Sequence, residues 1–140
     1  MHTDLRSWLE DVDQHGEMKT ISGVDCDLDM SGICEIMAAE KIEPNPVIMF
    51  DNIPGYSKDF RTLYALFGSP WRIAKTLGLP ENKTDRMSLL NSWNEKVDKI
   101  PMIPPEFVKS APFFENADTE NQVDLLKFPS PKHPNSKIWR

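Results

Sequence analysis

The placement of proline constrains the fold of this chain more than any other feature. Of its twelve prolines, seven lie after residue 100: Pro101, Pro104, Pro105, Pro112, Pro129, Pro131 and Pro134. Because proline lacks an amide hydrogen and its ring clashes with the preceding turn, prolines at this spacing exclude a long helix. We therefore predict a regular domain in residues 1–100 and a proline-rich, extended connector in residues 101–140.

The connector nevertheless carries many large apolar side chains. They are Phe107, Phe113, Phe114, Leu125, Leu126, Phe128 and Trp139. A disordered tail is poor in such residues, so we expect the connector to be ordered and to pack on a surface that another polypeptide partly supplies. Its segments EFVKS (106–110) and VDLLKF (123–128) are either short strands or extended stretches.

The first residues of the chain predict a helix followed by a strand. Four apolar residues recur at helical spacing over residues 4–14: Leu5, Trp8, Leu9 and Val12. This spacing places them on one face of an amphipathic helix. Thr3 or Asp4 can cap the helix, and Gly16 can end it. Residues 17–24 alternate loosely in polarity and predict a short strand.

A second helix is predicted over residues 30–41. Either Asp27 or Asp29 can cap it, and Pro44 and Pro46 prevent its continuation. Its apolar stripe consists of Met30, Ile33, Cys34, Met37 and Ala38.

Two strands and a turn are predicted next. Residues 47–50 (VIMF) form a continuous apolar run, which is typical of a strand covered on both faces. Pro54 and Gly55 follow in the order that a type II turn favours. Residues 60–68 alternate in polarity and predict a second strand.

Two further helices follow. Ser69 can cap a helix that has Pro70 at its first position and ends at Gly78. A longer helix is predicted over residues 85–100, with Thr84 as its cap. Its predicted stripe is Arg86, Leu90, Trp93, Val97 and Ile100. The alternation of strands and helices predicts a mixed α/β fold.

The bulk properties narrow the class of protein. A length of 140 residues suits one domain with a sizeable core. The net charge of −6 argues against nucleic acid and against an anionic membrane surface as partners. No run of roughly 18 apolar residues suggests a membrane span, and the acidic start does not resemble a signal peptide. We therefore expect a cytoplasmic protein.

Neither cysteine nor histidine forms a recognisable site in the sequence. Cys26 and Cys34 lie without the further ligands that a zinc site needs, and Cys34 is interpreted as a small buried hydrophobe. Among the three histidines, His2 and His15 are interpreted as solvated. His133 lies in a proline-rich loop, where function often concentrates, but no carboxylate or thiol accompanies it at ligand spacing.

Two other clusters contain residue types that can bind ions. Asp25, Asp27 and Asp29 alternate as in a calcium loop, but the glycine and glutamate that an EF-hand requires are absent, so we interpret them as acidic residues at a helix N-terminus. Lys58 and Arg61 can contact a phosphate or carboxylate, such as that of a free flavin. The favoured alternative is an internal ion pair of Arg61 with Asp51 or Asp59. No phosphate loop or nucleophile elbow is present.

Four motifs, read together and in order, resemble the UbiD-type decarboxylases, named for 3-octaprenyl-4-hydroxybenzoate carboxy-lyase. DLRSWLEDVDQHGEM resembles the opening helix of that family, and PVIMFDNIPGY is similar to its next strand and turn. DFRTLYALFGSPWRIAKTLGLP and PPEFVKSAPFFENADTENQVDLLKFPSPKH resemble the segments that follow, the second of which leads into the catalytic part. The resemblance covers essentially the whole chain.

The resemblance implies a non-oxidative, reversible decarboxylase of aromatic, heteroaromatic or α,β-unsaturated acids. Such enzymes use prenylated FMN with a divalent metal, usually Mn²⁺, and a monovalent cation such as K⁺. Their Glu–Arg–Glu constellation and metal ligands lie in a central split-barrel domain, whose entry is cut and altered in KHPNSKIWR (132–140). We therefore assign no catalytic, flavin-binding or metal-binding residue, and expect no cofactor to bind this chain alone.

Two hypotheses follow for the role of the chain. In the first, it is the N-terminal portion of a longer UbiD-type decarboxylase. In the second, it is a separately encoded structural or regulatory subunit that pairs with a catalytic partner. In both cases we expect the isolated chain to be inactive, to self-associate through its apolar connector, and to function within a homo-oligomer.

Overall fold

The computed structural model describes residues 4–41, 43–82 and 85–132. Within these residues the chain forms a mixed α/β fold, as predicted, with one three-stranded sheet and four α-helices. The strands are β1 (Met18–Ser22), β2 (Val47–Asp51) and β3 (Thr62–Tyr64). The helices are α1 (Leu5–Gln14), α2 (Asp29–Ala39), α3 (Pro70–Leu77) and α4 (Arg86–Val97). No helix of the described residues is both long and apolar enough to cross a membrane.

The central strand β2 organises the core. It pairs in parallel with β1 and antiparallel with β3, so that the sheet order is β1-β2-β3. Successive side chains of a strand point to opposite faces. Ile48 and Phe50 accordingly pack with Met30 and Met37 of α2, whereas Val47 packs with Trp8 of α1. Both faces of β2 are covered, as its continuous apolar run predicted.

The ends of α1 follow the predicted local chemistry. The Asp4 carboxylate accepts a hydrogen bond from the Ser7 amide at 2.8 Å and caps the helix. The alternative cap, Thr3, lies outside the described residues. After His15 the chain turns at Gly16, whose φ of 79° lies in the left-handed region that glycine tolerates.

Helix α2 begins differently from the prediction. Neither Asp27 nor Asp29 is its cap: Leu28 occupies that position without a side-chain hydrogen bond, and Asp29 is already inside the helix. The Asp27 amide instead donates to the Asp25 carboxylate at 2.6 Å, a local turn that competes with capping. Ala38 is exposed and was wrongly placed on the buried stripe.

The predicted turn after β2 is confirmed, but the strand after it is shorter than predicted. The Tyr56 amide donates to the Ile53 carbonyl at 3.2 Å, and Gly55 has the positive φ of 84° that a type II turn requires. Strand β3 ends at Tyr64 because Ala65 adopts a φ of 60°, which turns the chain away from β2.

Helix α3 has the predicted boundaries. Ser69 Oγ accepts a hydrogen bond from the Arg72 amide at 3.2 Å, and Pro70 occupies the first turn. Gly78 ends the helix in the left-handed conformation, with a φ of 60°. The local signals of cap, proline and glycine were therefore sufficient for this helix.

The buried face of α4 was predicted wrongly. Its cap is Asp85, whose carboxylate accepts from the Ser88 amide at 2.8 Å, and Thr84 lies outside the described residues. Leu89 is buried and Trp93 half-buried, because the face they share with Lys96 packs on α3. Four members of the predicted stripe are exposed: Arg86, Leu90, Val97 and Ile100.

The connector forms no strand in its described part, residues 101–132. EFVKS has no regular secondary structure and bends at Lys109. VDLLKF contains a single 3₁₀ turn, Leu125–Lys127, and two similar turns span Pro112–Phe114 and Glu120–Gln122. The connector returns to the domain near its end, where the Phe128 ring meets Phe60 edge-to-face at 5.4 Å. Trp139 lies outside the described residues. The predicted division at residue 100 stays a prediction.

Candidate functional site

A buried polar network around Arg72 is the most developed constellation of charged groups in the described part of the chain. Arg72 is completely buried on α3, and its Nη1 donates to Glu17 Oε2 at 2.5 Å. Its Nε donates to the Leu66 carbonyl at 2.9 Å, and its Nη2 to the carbonyls of Ala65, at 3.2 Å, and Asn45. Every nitrogen of the guanidinium therefore has an acceptor.

The electrostatics of this network keep both charges in place. Burial lowers the pKa of Arg72, and the Glu17 carboxylate opposes that shift. Because an arginine loses its proton only far above neutral pH, the guanidinium remains charged. Ser69 Oγ donates to Glu17 Oε2 at 2.5 Å, so the carboxylate is satisfied from two sides.

The network does not form a nucleophilic centre. Ser69 is buried, and its hydroxyl is already used to donate to Glu17 and to cap α3. His15 Nε2 lies 3.8 Å from the other oxygen of Glu17, and its ring stacks on Trp71 at 3.7 Å. Among the described residues, the hydrogen bonds of the Ser69 hydroxyl are to Glu17 and to the Arg72 amide. The group that accepts the Ser69 hydroxyl proton is the Glu17 carboxylate, which is held in an ion pair with Arg72, and the buried hydroxyl is closed to a substrate. The arrangement therefore joins the start of β1 to α3 through buried hydrogen bonds and an ion pair.

A second group of charges surrounds Lys58 and Arg61, the pair that the sequence suggested for anion binding. They border an open cavity of about 590 Å³ together with Arg6 and two carboxylates, Asp51 and Asp59. The predicted ion pair of Arg61 is wrong: among the described residues, Arg61 bridges neither carboxylate, and its Nη1 lies 4.0 Å from the sulfur of Met49. The carboxylates offset most of the positive charge, which weakens any attraction for a phosphate.

An apolar groove runs between α1 and α3. It encloses about 700 Å³ and is lined mainly by Leu5, Trp8, Phe67, Leu77 and Leu79. The charged residues at its rim are already paired, since Lys75 Nζ lies 2.8 Å from Asp11 and Lys96 Nζ donates to the carbonyls that end α3. Among the described residues that line the groove, no acid, base or nucleophile stands in a catalytic arrangement.

Those remaining residues singled out in the sequence that the structure describes do not converge. Cys26 is buried and its sulfur lies 3.8 Å from the Tyr56 hydroxyl, whereas Cys34 is half-buried against the core, where burial raises the pKa of its thiol. His2 and His133 lie outside the described residues. No three His, Cys, Asp or Glu side chains of the described residues are grouped so as to hold a metal ion. These residues thus do not fit the metal that the family resemblance implies.

The Arg72 network was missed by sequence reasoning. Its two charged partners are 55 positions apart, and neither belongs to a motif with a known spacing. The only local signal was an arginine within the first turn of a helix that is otherwise well capped. That signal is weak, because an arginine on a helix is usually solvated.

Comparison with known proteins gives one family and a consistent set of structures. The family profile of the 3-octaprenyl-4-hydroxybenzoate carboxy-lyase N-terminal domain matches residues 9–90. The closed form of vanillic acid decarboxylase (ShVdcCD) from Sedimentibacter hydroxybenzoicus is similar with a TM-score of 0.66 and 29% sequence identity, over 83% of this chain and 24% of that chain.

The open form of the same decarboxylase gives nearly the same result. Its TM-score is 0.65 at 28% identity, over 82% of this chain and 24% of that chain. A further open form, with truncated ShVdcD, has a TM-score of 0.61 at 27% identity, over 74% of this chain and 21% of that chain. The chain thus spans less than a quarter of the length of each of these three matched chains.

Proposed function

The chain belongs to the UbiD family through a 3-octaprenyl-4-hydroxybenzoate carboxy-lyase N-terminal domain, and from this we propose that it is the N-terminal scaffold of a non-oxidative decarboxylase. The proposed substrates are aromatic, heteroaromatic or α,β-unsaturated carboxylic acids. The family match over residues 9–90 is the single observation that carries the proposal. The similarity to vanillic acid decarboxylase supports it at the level of fold and reaction class.

We assign the reaction itself to another part of the enzyme. The proposed cofactors are prenylated FMN, Mn²⁺ and K⁺, as in the resembled family. The described residues offer no grouped ligands for a metal, and the polar network around Arg72 is buried and fully engaged. No step of decarboxylation is therefore assigned to this chain. Its proposed role is to supply a rigid α/β unit against which the catalytic part is built.

Two arrangements of the whole enzyme satisfy this role. The chain is either continuous with the catalytic polypeptide or a separate subunit of it. One observation supports the second arrangement. The matched decarboxylase ShVdcCD contains a component, ShVdcD, that is named separately and is truncated in one of the structures. The nucleotide sequence after codon 140 distinguishes them: an in-frame continuation supports one polypeptide, and a stop codon beside a catalytic gene supports a subunit.

The proposed activity can be tested by reconstitution. The chain would be co-expressed with the catalytic polypeptide encoded with it, loaded with prenylated FMN, Mn²⁺ and K⁺, and assayed for CO₂ release from a panel of aromatic and unsaturated acids. We expect CO₂ from the assembled enzyme, which we propose is a homo-oligomer, and none from the 140-residue chain alone. An assembled, flavin-loaded enzyme that decarboxylates none of these acids would contradict the proposal.

A further inference from the structure

Residues 112–126, here called the acidic loop, combine exposed apolar side chains with negative charge. Val123, Leu125 and Leu126 are 50%, 73% and 77% exposed. The loop sequence PFFENADTENQVDLL contains no basic residue, and its acidic residues are Glu115, Asp118, Glu120 and Asp124. Exposed leucines of this kind, grouped within a few residues, are typical of an interaction surface.

The acidic loop is held in place beyond its C-terminal end. The Lys132 amide donates to the Cys26 carbonyl at 3.0 Å, and Lys132 Nζ lies 2.6 Å from Asp27 Oδ1. The edge-to-face contact of Phe128 with Phe60 adds a second attachment. Because the chain is tied to the domain on this side and continues from α4 on the other, the loop has less conformational freedom to lose on binding than a free tail.

Hydrogen-bonded turns within the acidic loop also fix the backbone conformation at its two leucines. Asp124 Oδ1 accepts a hydrogen bond from the Leu126 amide at 3.0 Å, which sets the turn that carries Leu125 and Leu126. At the other end, the Phe114 amide donates to the Ala111 carbonyl at 3.0 Å. The loop therefore offers a pre-arranged surface, and pre-arrangement raises affinity for a complementary partner.

The charge of the acidic loop selects the kind of partner. Side chains of Lys or Arg around an apolar surface would complement it, whereas like charges would repel. A second copy of this chain is a poor partner for the loop itself, because each copy has a net charge of −6 and would present the same acidic loop. This argues against the self-association through the connector that the sequence suggested, and leaves open assembly through other surfaces. An anionic membrane is disfavoured for the same reason.

We propose that the acidic loop docks onto an apolar protein surface bordered by Lys and Arg side chains, carried by the catalytic polypeptide of the enzyme. The identity of that polypeptide rests on the proposed function. The chemistry of the docking surface rests on the loop alone, and it can be tested without the catalytic polypeptide.

The test uses the intact 140-residue chain and two synthetic helical peptides. Both peptides carry the same leucine stripe, which is bordered by lysine in one and by glutamate in the other. We expect the lysine-bordered peptide to bind roughly tenfold or more tightly than the glutamate-bordered one, as measured by fluorescence anisotropy. We also expect Leu125→Ser with Leu126→Ser to weaken that binding by about tenfold or more.

Matched variants separate the loop from the rest of the surface. Ile36→Ser with Met87→Ser removes two apolar side chains that are 62% and 64% exposed on α2 and α4, and should leave binding unchanged. Glu115→Gln, Asp118→Asn and Glu120→Gln together should weaken binding and reduce its salt dependence. The triple variant Glu10→Gln, Asp13→Asn and Glu40→Gln changes the net charge by the same amount outside the loop. It should change neither the binding nor its salt dependence.

Three outcomes would overturn the inference. The first is equal binding of the two peptides, and the second is equal sensitivity to the loop variants and their matched controls. The third is self-association, seen in sedimentation velocity, that the leucine variants abolish while peptide binding stays unchanged. That result would mean that the leucines bind a second copy of this chain. None of these outcomes bears on CO₂ release by the assembled enzyme, so the proposed function is tested separately.

Discussion

Arg72 and Glu17 show how a single buried pair determines the arrangement of this domain. A charge inside a protein is tolerated only when it is paired and hydrogen-bonded. Arg72 meets this requirement by donating hydrogen bonds to carbonyls of two loops and to the Glu17 carboxylate, which precedes β1. The side chain therefore specifies how α3, the end of β3 and the start of β1 lie relative to each other.

Removing the Glu17 carboxylate should strongly destabilise the folded protein. We predict that Glu17→Gln lowers the free energy of unfolding by roughly 3–5 kcal/mol, because it leaves the Arg72 guanidinium buried without its counter-charge. Urea denaturation measures the change, and Glu10→Gln, at an exposed site on α1, serves as the control. A loss of stability for Glu17→Gln no larger than that for Glu10→Gln would contradict this interpretation.

The ion pair of Lys132 with Asp27 makes a pH prediction. The hydrogen bond from Lys132 to Asp27, with the attraction between their charges, raises the pKa of Lys132 above its ordinary value of 10.5. A raised lysine pKa means that the pair stabilises the docked connector below about pH 10.5 and loses this contribution as the pH rises through the raised pKa. NMR titration of the Lys132 side chain should show this raised pKa, and Asp27→Asn should return it towards 10.5. An identical titration in both proteins would show that the pair does not form in solution.

At the scale of elements, helix ends were easier to predict than helix faces. Asp4, Ser69 and Gly78 act on amides and carbonyls within four residues of themselves, so the local sequence contains the whole interaction. The buried face of α4 instead depends on where α3 lies. Helix α4 has apolar residues on two of its sides, so the sequence allowed either side to be the buried one. The side with Leu89 and Trp93 is buried because it packs on α3.

The glycine that ends α3 provides a test of this element. We predict that Gly78→Ala lowers the free energy of unfolding by about 1–2 kcal/mol, because its φ of 60° is unfavourable for a residue with a Cβ atom. The added Cβ would also lie 2.9 Å from Lys96 Nζ, although that flexible amine can move.

The matched control for Gly78→Ala is Gly32→Ala. Gly32 lies inside α2, and a Cβ there would meet no atom within 4 Å. Alanine should therefore stabilise the protein by roughly 0.5–1 kcal/mol through its higher helix propensity. Thermal or urea unfolding of the two variants should show shifts of opposite sign, and a shift of the same sign would contradict the assignment of Gly78 as a left-handed cap.

At the scale of the whole molecule, the buried apolar clusters lie before residue 98, and many apolar side chains of the connector are exposed. Three apolar clusters join the helices and the sheet, whereas Met102, Ile103 and Phe107 of the connector are 97%, 81% and 99% exposed. Segments with few buried contacts open most readily. The connector should therefore be the first part of the chain to be attacked by a protease.

Limited proteolysis can test this separation. We predict that trypsin cleaves first after Lys99, Lys109 and Lys127, which are exposed, and only later after Arg72 or Lys75, which α3 protects. Lys132→Ala should accelerate cleavage after Lys127 more than after Lys109, because it removes the attachment to Asp27. Early cuts inside residues 4–97, detected by mass spectrometry, would contradict the description of that region as the stable unit.

The sequence alone determined the features that depend on neighbouring residues. These include the strand β2, the turn at Gly55, the ends of α1 and α3 and the mixed α/β class, and the ordered motifs identified the family. Tertiary structure decided where residues distant in the chain meet: Arg72 with Glu17, Leu89 with the helix α3, and Lys132 with Asp27. It also shortened β3, since Ala65 turns to direct its carbonyl at Arg72. The physical reason is range, because caps and turns are completed within a few residues, whereas ion pairs and packed faces exist only once the sheet has brought their elements together.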